Sequence, residues 1–365
     1  MTYVTATLHL DAPTESLFTL SQPVLGNGEA PGMLMSRPAR LLTAAAAAMA
    51  LTTACGGDSG PVAPAAGGAS AEAKADKVRI GVSVADQKSL FYIAEADGIK
   101  AAAKEAGVDI ILLSADNNST QQVNQVNDLI TQNVDALIFT AQDATAAAAG
   151  VRAANVAKIP VIAVDQKPEG GSGKHATYIA TDSVKAAEGL CNWMFKKMGG
   201  SGEIGILQGV LGSTAELQRS EGCEKALKAN PSIKVVARQS ANWDETEGFK
   251  AAQNMLQANP KMKAIFGESD AMGLGAAKAA KKAGRDIIAV GIDGFPTMIT
   301  GIKDGLTDAT QAQVPYVMGQ MAVRDAVKAA KGETIPELQY QDTVLVTTEN
   351  AAKVDPVQFY GPNVK

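Results

Sequence analysis

The chain has 365 residues, of which 46% are hydrophobic and only 4% aromatic, and its formal net charge is −5 at pH 7. This acidic balance argues against nucleic acid as a partner, because binding to phosphates needs a basic surface. The chain has three cysteines and two histidines, and neither Cys191 nor Cys223 lies in a CxxC or histidine-rich context. We therefore expect no metal and no cofactor.

The first element in chain order is a secretion signal that ends at Cys55. Basic residues at 37 and 40 precede an apolar stretch, 41–51, and the small residues 52–54 lead directly to the cysteine. This order is typical of a bacterial signal peptide, here residues 35–54. A transmembrane helix or a buried core helix is the alternative, but the apolar run is only about half of the roughly 20 residues that span a bilayer.

Cys55 resembles the lipidated cysteine of a lipoprotein signal, where cleavage leaves the modified residue as the new N-terminus. We therefore expect an extracytoplasmic protein that is lipid-anchored to the cell membrane. Residues 55–76 would be the anchor and a flexible linker, because this segment is rich in Gly, Ala, Pro and Ser. Residues 1–34 fit no part of this plan, and we expect a misassigned start, with translation beginning at Met33 or Met35.

From residue 77 onward, short apolar runs alternate with amphipathic helical stretches such as 91–106 and 120–132. Nearly continuous hydrophobicity within the runs indicates parallel strands covered on both faces. The alternation, over about 290 residues, predicts an α/β fold with two similar domains, each a parallel sheet flanked by helices. The predicted strands are 78–84, 109–114, 136–140 and 160–164 in a first series and 203–208, 233–237, 264–267 and 286–292 in a second.

Polar residues follow these strands, and ligands of open α/β sheets bind outside the carboxyl ends of the strands. Two domains that face each other with such ends would form a polar cleft suited to a sugar or polyol, since carboxylates and amides hydrogen-bond to hydroxyls. The alternative is that an aspartate after a strand only stabilises a turn or caps a helix. The residues concerned are Ser83, Asp143, Asp165, Gln166, Gln208, Asp270 and Asp293.

We expect no enzymatic activity, because the sequence contains no P-loop, no Gly-x-Ser-x-Gly elbow and no metal-ligand motif. His175 is the one histidine after the expected linker at residues 55–76, and its glycine-rich surroundings indicate a solvated loop. Cys191 and Cys223 lie in predicted helices on either side of the strand 203–208. Outside the membrane they could form a disulfide, and two buried free thiols are the alternative.

Several segments together resemble the ribose-binding type of periplasmic solute-binding protein. They are IPVIAVD at 159–165, ILQG at 206–209, GSTA at 212–215, RSEG at 219–222, DAMGLGA at 270–276, VGIDG at 290–294 and ATQAQ at 309–313. Members of this family deliver a solute to an ABC importer, and some deliver it to chemoreceptors. The resemblance implies a monomer that binds a sugar or polyol and docks on the permease and ATPase complex of an importer.

Two other functions share this fold. A sugar sensor would present its ligand to a membrane receptor, and the sequence does not separate it from an importer component. The core of a sugar-responsive repressor would need an N-terminal helix-turn-helix, where this chain has a signal peptide.

The resemblance also implies a domain plan, that of a type I periplasmic binding protein, in which the chain crosses a hinge three times. The crossings would fall near 181–182, 313–314 and 341–343. The N-terminal domain would comprise residues 77–181 and 314–341. The C-terminal domain would comprise residues 182–313 and 342–365.

The ligand contacts implied by the resemblance are charged or amide groups and aromatic rings, on which the C–H faces of sugars pack. For Phe91 and Trp243, core packing is the alternative. Gln166 and Ser269 stand where ribose binders usually carry arginine and asparagine, so another pentose, a ketohexose such as fructose, or a polyol would all be reasonable ligands. The complete expected site is Ser83, Phe91, Tyr92, Asp165, Gln166, Arg219, Trp243, Ser269, Asp270, Asp293 and Gln313.

Overall fold

The chain folds into two β-sheets covered by helices in a computed structural model that describes residues 77–168 and 173–364. Cys55, the predicted signal peptide at residues 35–54 and the whole of the predicted linker at residues 55–76 lie outside the described residues. The strands are β1 (Arg79–Val84), β2 (Asp109–Ser114), β3 (Ala136–Phe139), β4 (Val161–Val164), β5 (Thr177–Thr181), β6 (Gly202–Gln208), β7 (Ile233–Ser240), β8 (Met262–Gly267), β9 (Ile288–Asp293), β10 (Ala309–Ala312), β11 (Leu338–Gln341) and β12 (Val344–Thr347).

Ten α-helices occur in the described ranges, and none of them is long and apolar enough to cross a membrane. They are α1 (Leu90–Ala106), α2 (Ser119–Thr131), α3 (Ala144–Val156), α4 (Ser183–Lys197), α5 (Thr214–Ala229), α6 (Glu245–Ala258), α7 (Asp270–Lys282), α8 (Pro296–Lys303), α9 (Pro315–Ala330) and α10 (Val357–Tyr360).

Each sheet has six strands, and the strands follow an equivalent order in the two sheets. The first has the order β11-β5-β4-β3-β1-β2 and the second the order β12-β10-β9-β8-β6-β7. We call the first sheet with α1, α2, α3 and α9 the first lobe, and the second sheet with α4 to α8 the second lobe. The predicted fold class, two similar α/β domains that each contain a parallel sheet flanked by helices, is confirmed.

Alternation of side chains along the central strands builds a core on both faces of each sheet. In β3, Ile138 packs with α1 and α9 on one face, whereas Leu137 and Phe139 pack with α2 and α3 on the other. The second sheet is covered in the same way, by α4 and α5 on one face and by α6 and α7 on the other. These doubly covered strands are the ones that the continuous apolar runs predicted.

The chain passes from one sheet to the other three times. It does so between β5 and α4, between β10 and α9, and between β11 and β12. β12 pairs antiparallel with β10, unlike every other neighbouring pair of strands in the described residues. The reason is geometric, because β11 runs towards the boundary between the sheets and β12, two residues later, runs away from it.

A disulfide joins Cys191 of α4 to Cys223 of α5, with their Cα atoms 5.6 Å apart. Both side chains are fully buried on the face of the second sheet that these helices cover. Of the two alternatives left by the sequence, the structure therefore has the disulfide. It fixes α5 one turn away from Arg219, which faces the space between the lobes.

Candidate ligand-binding cleft

A cavity of about 670 Å³ lies between the two lobes. Its walls come from the segments that follow β1 to β4 in the first lobe and β6 to β10 in the second. These are the carboxyl ends of parallel strands, where ligands of open α/β sheets bind. Most of the expected site residues line this cavity, namely Phe91, Tyr92, Asp165, Gln166, Arg219, Trp243, Ser269, Asp293 and Gln313.

Ser83 does not line the cavity. It is fully buried within β1, and its hydroxyl faces Gln125 of α2, with Oγ 3.3 Å from Oε1. The residue that reaches the cavity from this strand is Asp86, two positions after the strand ends. A side chain that is still inside a strand points into the neighbouring layer, and this explains why Ser83 lies elsewhere.

Asp270 also lies outside the cavity lining, because its carboxylate holds the turn after β9. Oδ2 accepts hydrogen bonds from the backbone N–H groups of Gly294 and Phe295, both at 2.7 Å, and Oδ1 lies 2.7 Å from the hydroxyl of Thr310. Burial and the neighbouring Asp293 carboxylate raise the pKa of Asp270 well above its usual range. Its contribution to the cleft is to fix the backbone that carries Asp293 and Phe295.

Arg219 extends from α5 into the cleft and is only 4% exposed. Its Nη1 donates to the backbone carbonyl of Glu268 at 2.5 Å, and the guanidinium carbon lies 5.4 Å from the centre of the Trp243 ring. Arg219 is therefore not a surface residue that pairs with a glutamate of its own helix. Glu221 pairs with Lys225 instead.

Trp243 sits on a loop after β7, where it and Asn242 have positive φ angles of 64° and 50°. The indole packs against the backbone of Gly209, directly after β6, and a Cβ atom at Gly209 would come within 2.0 Å of its ring. A glycine is therefore required at position 209. The ring is held between this backbone and Arg219, and it presents one aromatic wall of the cavity.

The first lobe supplies a second aromatic wall and a carboxylate. Phe91 and Tyr92 pack edge to face, with ring centroids 5.4 Å apart. The Tyr92 hydroxyl donates to Oδ2 of Asp165 at 3.3 Å, and Asp165 itself has a positive φ of 53°. Burial raises the pKa of Asp165, while the positive charge of Arg219 from the other lobe opposes that rise.

Asp293 and Gln313 meet in the cavity wall, where the chain passes from β10 to α9. The Gln313 side-chain nitrogen donates to Oδ1 of Asp293 at 2.8 Å. The side-chain oxygen of Gln313, Oε1, has no hydrogen-bond partner among the described residues. Burial raises the pKa of Asp293 to about 6, against the opposing charge of Arg219. The hydroxyl of Tyr360, near the C-terminus, donates to the Asp293 backbone carbonyl at 2.8 Å.

Several lining residues were not predicted from the sequence, namely Asp86, Lys88, Asn117, Gln142, Asn242, Asp244 and Phe295. Asp86, Asn117 and Gln142 each follow a strand of the first sheet by two or three residues, so the strand-end rule, applied more broadly, could have found them. Asp143 instead caps α3 and accepts a hydrogen bond from the Ala146 N–H at 2.6 Å. Asp143 therefore caps a helix, which was the alternative to a role in the cleft.

Glu268, whose carboxyl lies behind the cleft, was also not predicted from the sequence. Glu268 is fully buried after β8, and it accepts hydrogen bonds from the Gly209 N–H at 2.9 Å and from the Ser220 hydroxyl at 2.7 Å. Burial raises its pKa to about 7. Its side chain ties the end of β6 to α5, and its backbone carbonyl anchors Arg219, so it positions two parts of the cavity wall.

Two α/β lobes with a polar, aromatic-lined cleft at their strand ends define a class of protein, the type I periplasmic binding proteins. Residues 80–334 match the family model described as periplasmic binding protein domain. The chain belongs to this family, as the sequence motifs indicated.

Several relatives in this family are named for the solute that they bind or import. The chain is 35% identical to the ribose import binding protein of Bacillus subtilis over 256 residues, which cover 70% of this chain and 83% of that protein. It is 34% identical to the xylitol-binding protein of Mycolicibacterium smegmatis over 275 residues, which cover 74% of this chain and 77% of that protein.

Solved structures show the same architecture. An ABC transporter solute-binding protein from Actinobacillus succinogenes with bound D-allose superposes with a TM-score of 0.73 and 29% identity, covering 76% of this chain and 100% of that chain. One from Bacillus halodurans with bound myo-inositol gives a TM-score of 0.73 and 31% identity, covering 76% of this chain and 96% of that chain.

Proposed function

We propose that this protein captures a monosaccharide, either a pentose or a ketohexose, or a polyol in the cleft between its lobes and delivers it to an ABC importer. Its role is binding rather than catalysis. The observation that carries the proposal is the convergence of Asp165 from the first lobe with Arg219 and Asp293 from the second on one cavity.

These three groups suit a neutral polyhydroxylated ligand. The two carboxylates accept hydrogen bonds from hydroxyls, and the guanidinium donates to hydroxyl or ring oxygens. A bound anion would face two carboxylates against one arginine, which is unfavourable in a buried site. Hydrogen bonds to charged groups are among the stronger ones in proteins, so a few of them give both affinity and orientation.

The aromatic walls supply the remaining part of the recognition. Phe91 and Trp243 lie on opposite lobes and both line the cavity. Sugars and polyols carry C–H groups that pack on such rings, whereas their hydroxyls point to the charged residues. The names of the relatives agree with this chemistry, since they include ribose, xylitol and D-apiose import or binding proteins.

The proposal includes a lipid anchor at the cell membrane and a closure of the two domains around the ligand. Lipidation at Cys55 would hold the monomer at the outer face of the cell membrane, with residues 55–76 as the tether, where an importer could receive its cargo. Closure of the domains 77–181 plus 314–341 and 182–313 plus 342–365 about the three crossings would enclose the ligand. The support for the hinge is that only short segments connect the two sheets.

A thermal-shift panel of pentoses, hexoses and polyols, with nucleotides as the contrasting class, tests the proposed ligand class. A true ligand at a thousandfold excess over its Kd stabilises the folded protein by about 4 kcal/mol. The proposal expects a clear rise in Tm with at least one sugar or polyol. A rise with nucleotides and none with sugars or polyols would overturn it.

A further inference from the structure

At one edge of the cleft, the segment after β4 in the first lobe contacts the start of α5 in the second lobe directly. The Thr214 hydroxyl lies between the two polar backbone groups of Lys167, with Oγ 3.2 Å from the N–H nitrogen and 3.3 Å from the carbonyl oxygen. Beside it, Oε1 of Gln166 accepts a hydrogen bond from the Ala215 N–H at 3.4 Å. Gln166 and Thr214 are 6% and 4% exposed, so this contact is protected from water.

The start of α5 is prepared for a partner from outside the helix. The first N–H groups of any helix have no partner within it, and a side chain at the N-cap position usually accepts one of them. Ser213 occupies the N-cap of α5 but makes no such bond, because its hydroxyl donates to the Val210 carbonyl at 2.8 Å. The Gln166 oxygen takes that role from the opposite lobe.

These hydrogen bonds connect the two lobes, and they can therefore influence ligand binding in the cleft. They join residues of the two lobes, and they can form only when the lobes meet on this side of the cleft. When the lobes meet, the Gln166 oxygen accepts a hydrogen bond from the first turn of α5. This bond stabilises the arrangement in which the lobes are in contact. Thr214 is not part of the cavity wall, whereas Gln166 is.

We propose that Gln166 and Thr214, through Ala215 and the backbone of Lys167, form an interlobe latch that stabilises the closed arrangement and so determines affinity without a ligand contact at Thr214. The inference rests on the proposed function, because closure serves the capture of a ligand. A ligand that binds only the closed form has an apparent Kd that is its intrinsic Kd divided by the closed fraction. Opening the latch would therefore weaken binding of every ligand by the same factor.

Thr214→Val tests the latch, because it keeps the shape of the side chain and removes the hydroxyl. Thr214→Ser keeps the hydroxyl and is the matched control. In small-angle scattering of the ligand-free proteins, Thr214→Val is expected to have a larger radius of gyration than wild type, and Thr214→Ser the wild-type value. Circular dichroism should show the same helix content in all three proteins.

The second readout is affinity for D-ribose, D-allose, xylitol and myo-inositol by calorimetric titration. For those that bind wild type, Thr214→Val should raise Kd by about threefold to tenfold, the effect of one or two hydrogen bonds, and Thr214→Ser should restore it. A wild-type radius and wild-type affinities in Thr214→Val would overturn the latch. If none of these four compounds binds, the ligand-free radius alone decides on the latch, and the thermal-shift panel decides separately on the proposed ligand class.

Discussion

Arg219 and Asp293 lie side by side in the cleft, with Nη1 3.7 Å from Oδ1 and side chains that are only 5% and 8% exposed. Arg219 opposes the burial-driven rise in the pKa of Asp293, and it does the same for Asp165 across the cleft. The positive charge of Arg219 thus favours the ionised form of both buried carboxyls. Ligand hydroxyls placed among the three would complete hydrogen bonds that the protein alone leaves open.

Removal of the arginine should therefore weaken binding strongly. A hydrogen bond to a charged group contributes about 1.5–3 kcal/mol, so Arg219→Ala is expected to raise the Kd of a sugar or polyol by roughly tenfold to a hundredfold or more. Asp165→Ala should do the same from the other lobe. Calorimetric titration measures both effects.

Glu221→Ala is the matched control for Arg219→Ala. Glu221 lies on the same helix, but its side chain pairs with Lys225 at the surface. Its removal should leave the Kd unchanged within error. Wild-type affinity in Arg219→Ala would remove that residue from the binding site.

The stability of the first lobe should depend on pH through Glu95. This carboxyl is fully buried in α1, where Oε1 accepts a hydrogen bond from the Thr140 hydroxyl at 2.6 Å and Oε2 has no partner among the described residues. Burial raises its pKa from 4.5 to about 8. A carboxyl whose pKa is raised on folding stabilises the native state at low pH, and this contribution is lost as the pH rises from about 4.5 through about 8.

Glu95→Gln removes this titration while it keeps the shape of the side chain. The free energy of unfolding of wild type should fall relative to that of the variant as the pH rises from 5 to 8, by on the order of a few kcal/mol. Urea unfolding at several pH values measures this difference. A difference between the two proteins that is the same at pH 5 and pH 8 would contradict the assignment.

The disulfide should stabilise the second lobe. Cys191 and Cys223 are 32 residues apart in sequence, and a disulfide that closes a loop of this size typically contributes about 2–4 kcal/mol. Reduction of the wild type should lower Tm. The double variant Cys191→Ala/Cys223→Ala should have the lower Tm with or without reductant. A double variant with the Tm of oxidised wild type would show that the bond contributes nothing.

Cys55→Ser tests the proposed anchor. The variant should leave the membrane fraction, because the thiol that would carry the lipid is gone. Its affinity for the ligand should equal that of wild type, since residues 56–76 separate Cys55 in sequence from the described fold. Fractionation followed by immunoblotting measures the change. A variant that still sediments with membranes would contradict the lipoprotein interpretation.

The sequence predicted the central strands well, because strands that are buried on both faces need continuous apolar runs. It did not single out β5, β10, β11 and β12, which are short and carry polar residues. In β10, the Thr310 hydroxyl is fully buried and bonds to Asp270. In β5, the Thr177 hydroxyl accepts from the Gln339 side chain of β11 at 3.0 Å. Such polar strands are stabilised by tertiary partners that a local pattern does not reveal.

The residues of the cleft were also predicted only in part from the sequence. The family motifs placed Asp165, Arg219 and Asp293 at one site, and the structure brings all three to the cavity. Asp270 follows a strand as Asp165 does, yet its carboxylate turns away to bond the backbone of Gly294 and Phe295. The direction of a side chain after a strand is set by the hydrogen-bond donors around it, and these come from distant parts of the sequence.

The most direct test of ligand binding between the lobes is a crystal structure of the protein grown with a sugar or polyol selected by the thermal-shift panel. We predict density for one molecule between the lobes, with its hydroxyls within about 3 Å of both the Asp165 carboxylate and the Arg219 guanidinium. A molecule bound elsewhere, or held by only one of the lobes in a saturated crystal, would contradict it.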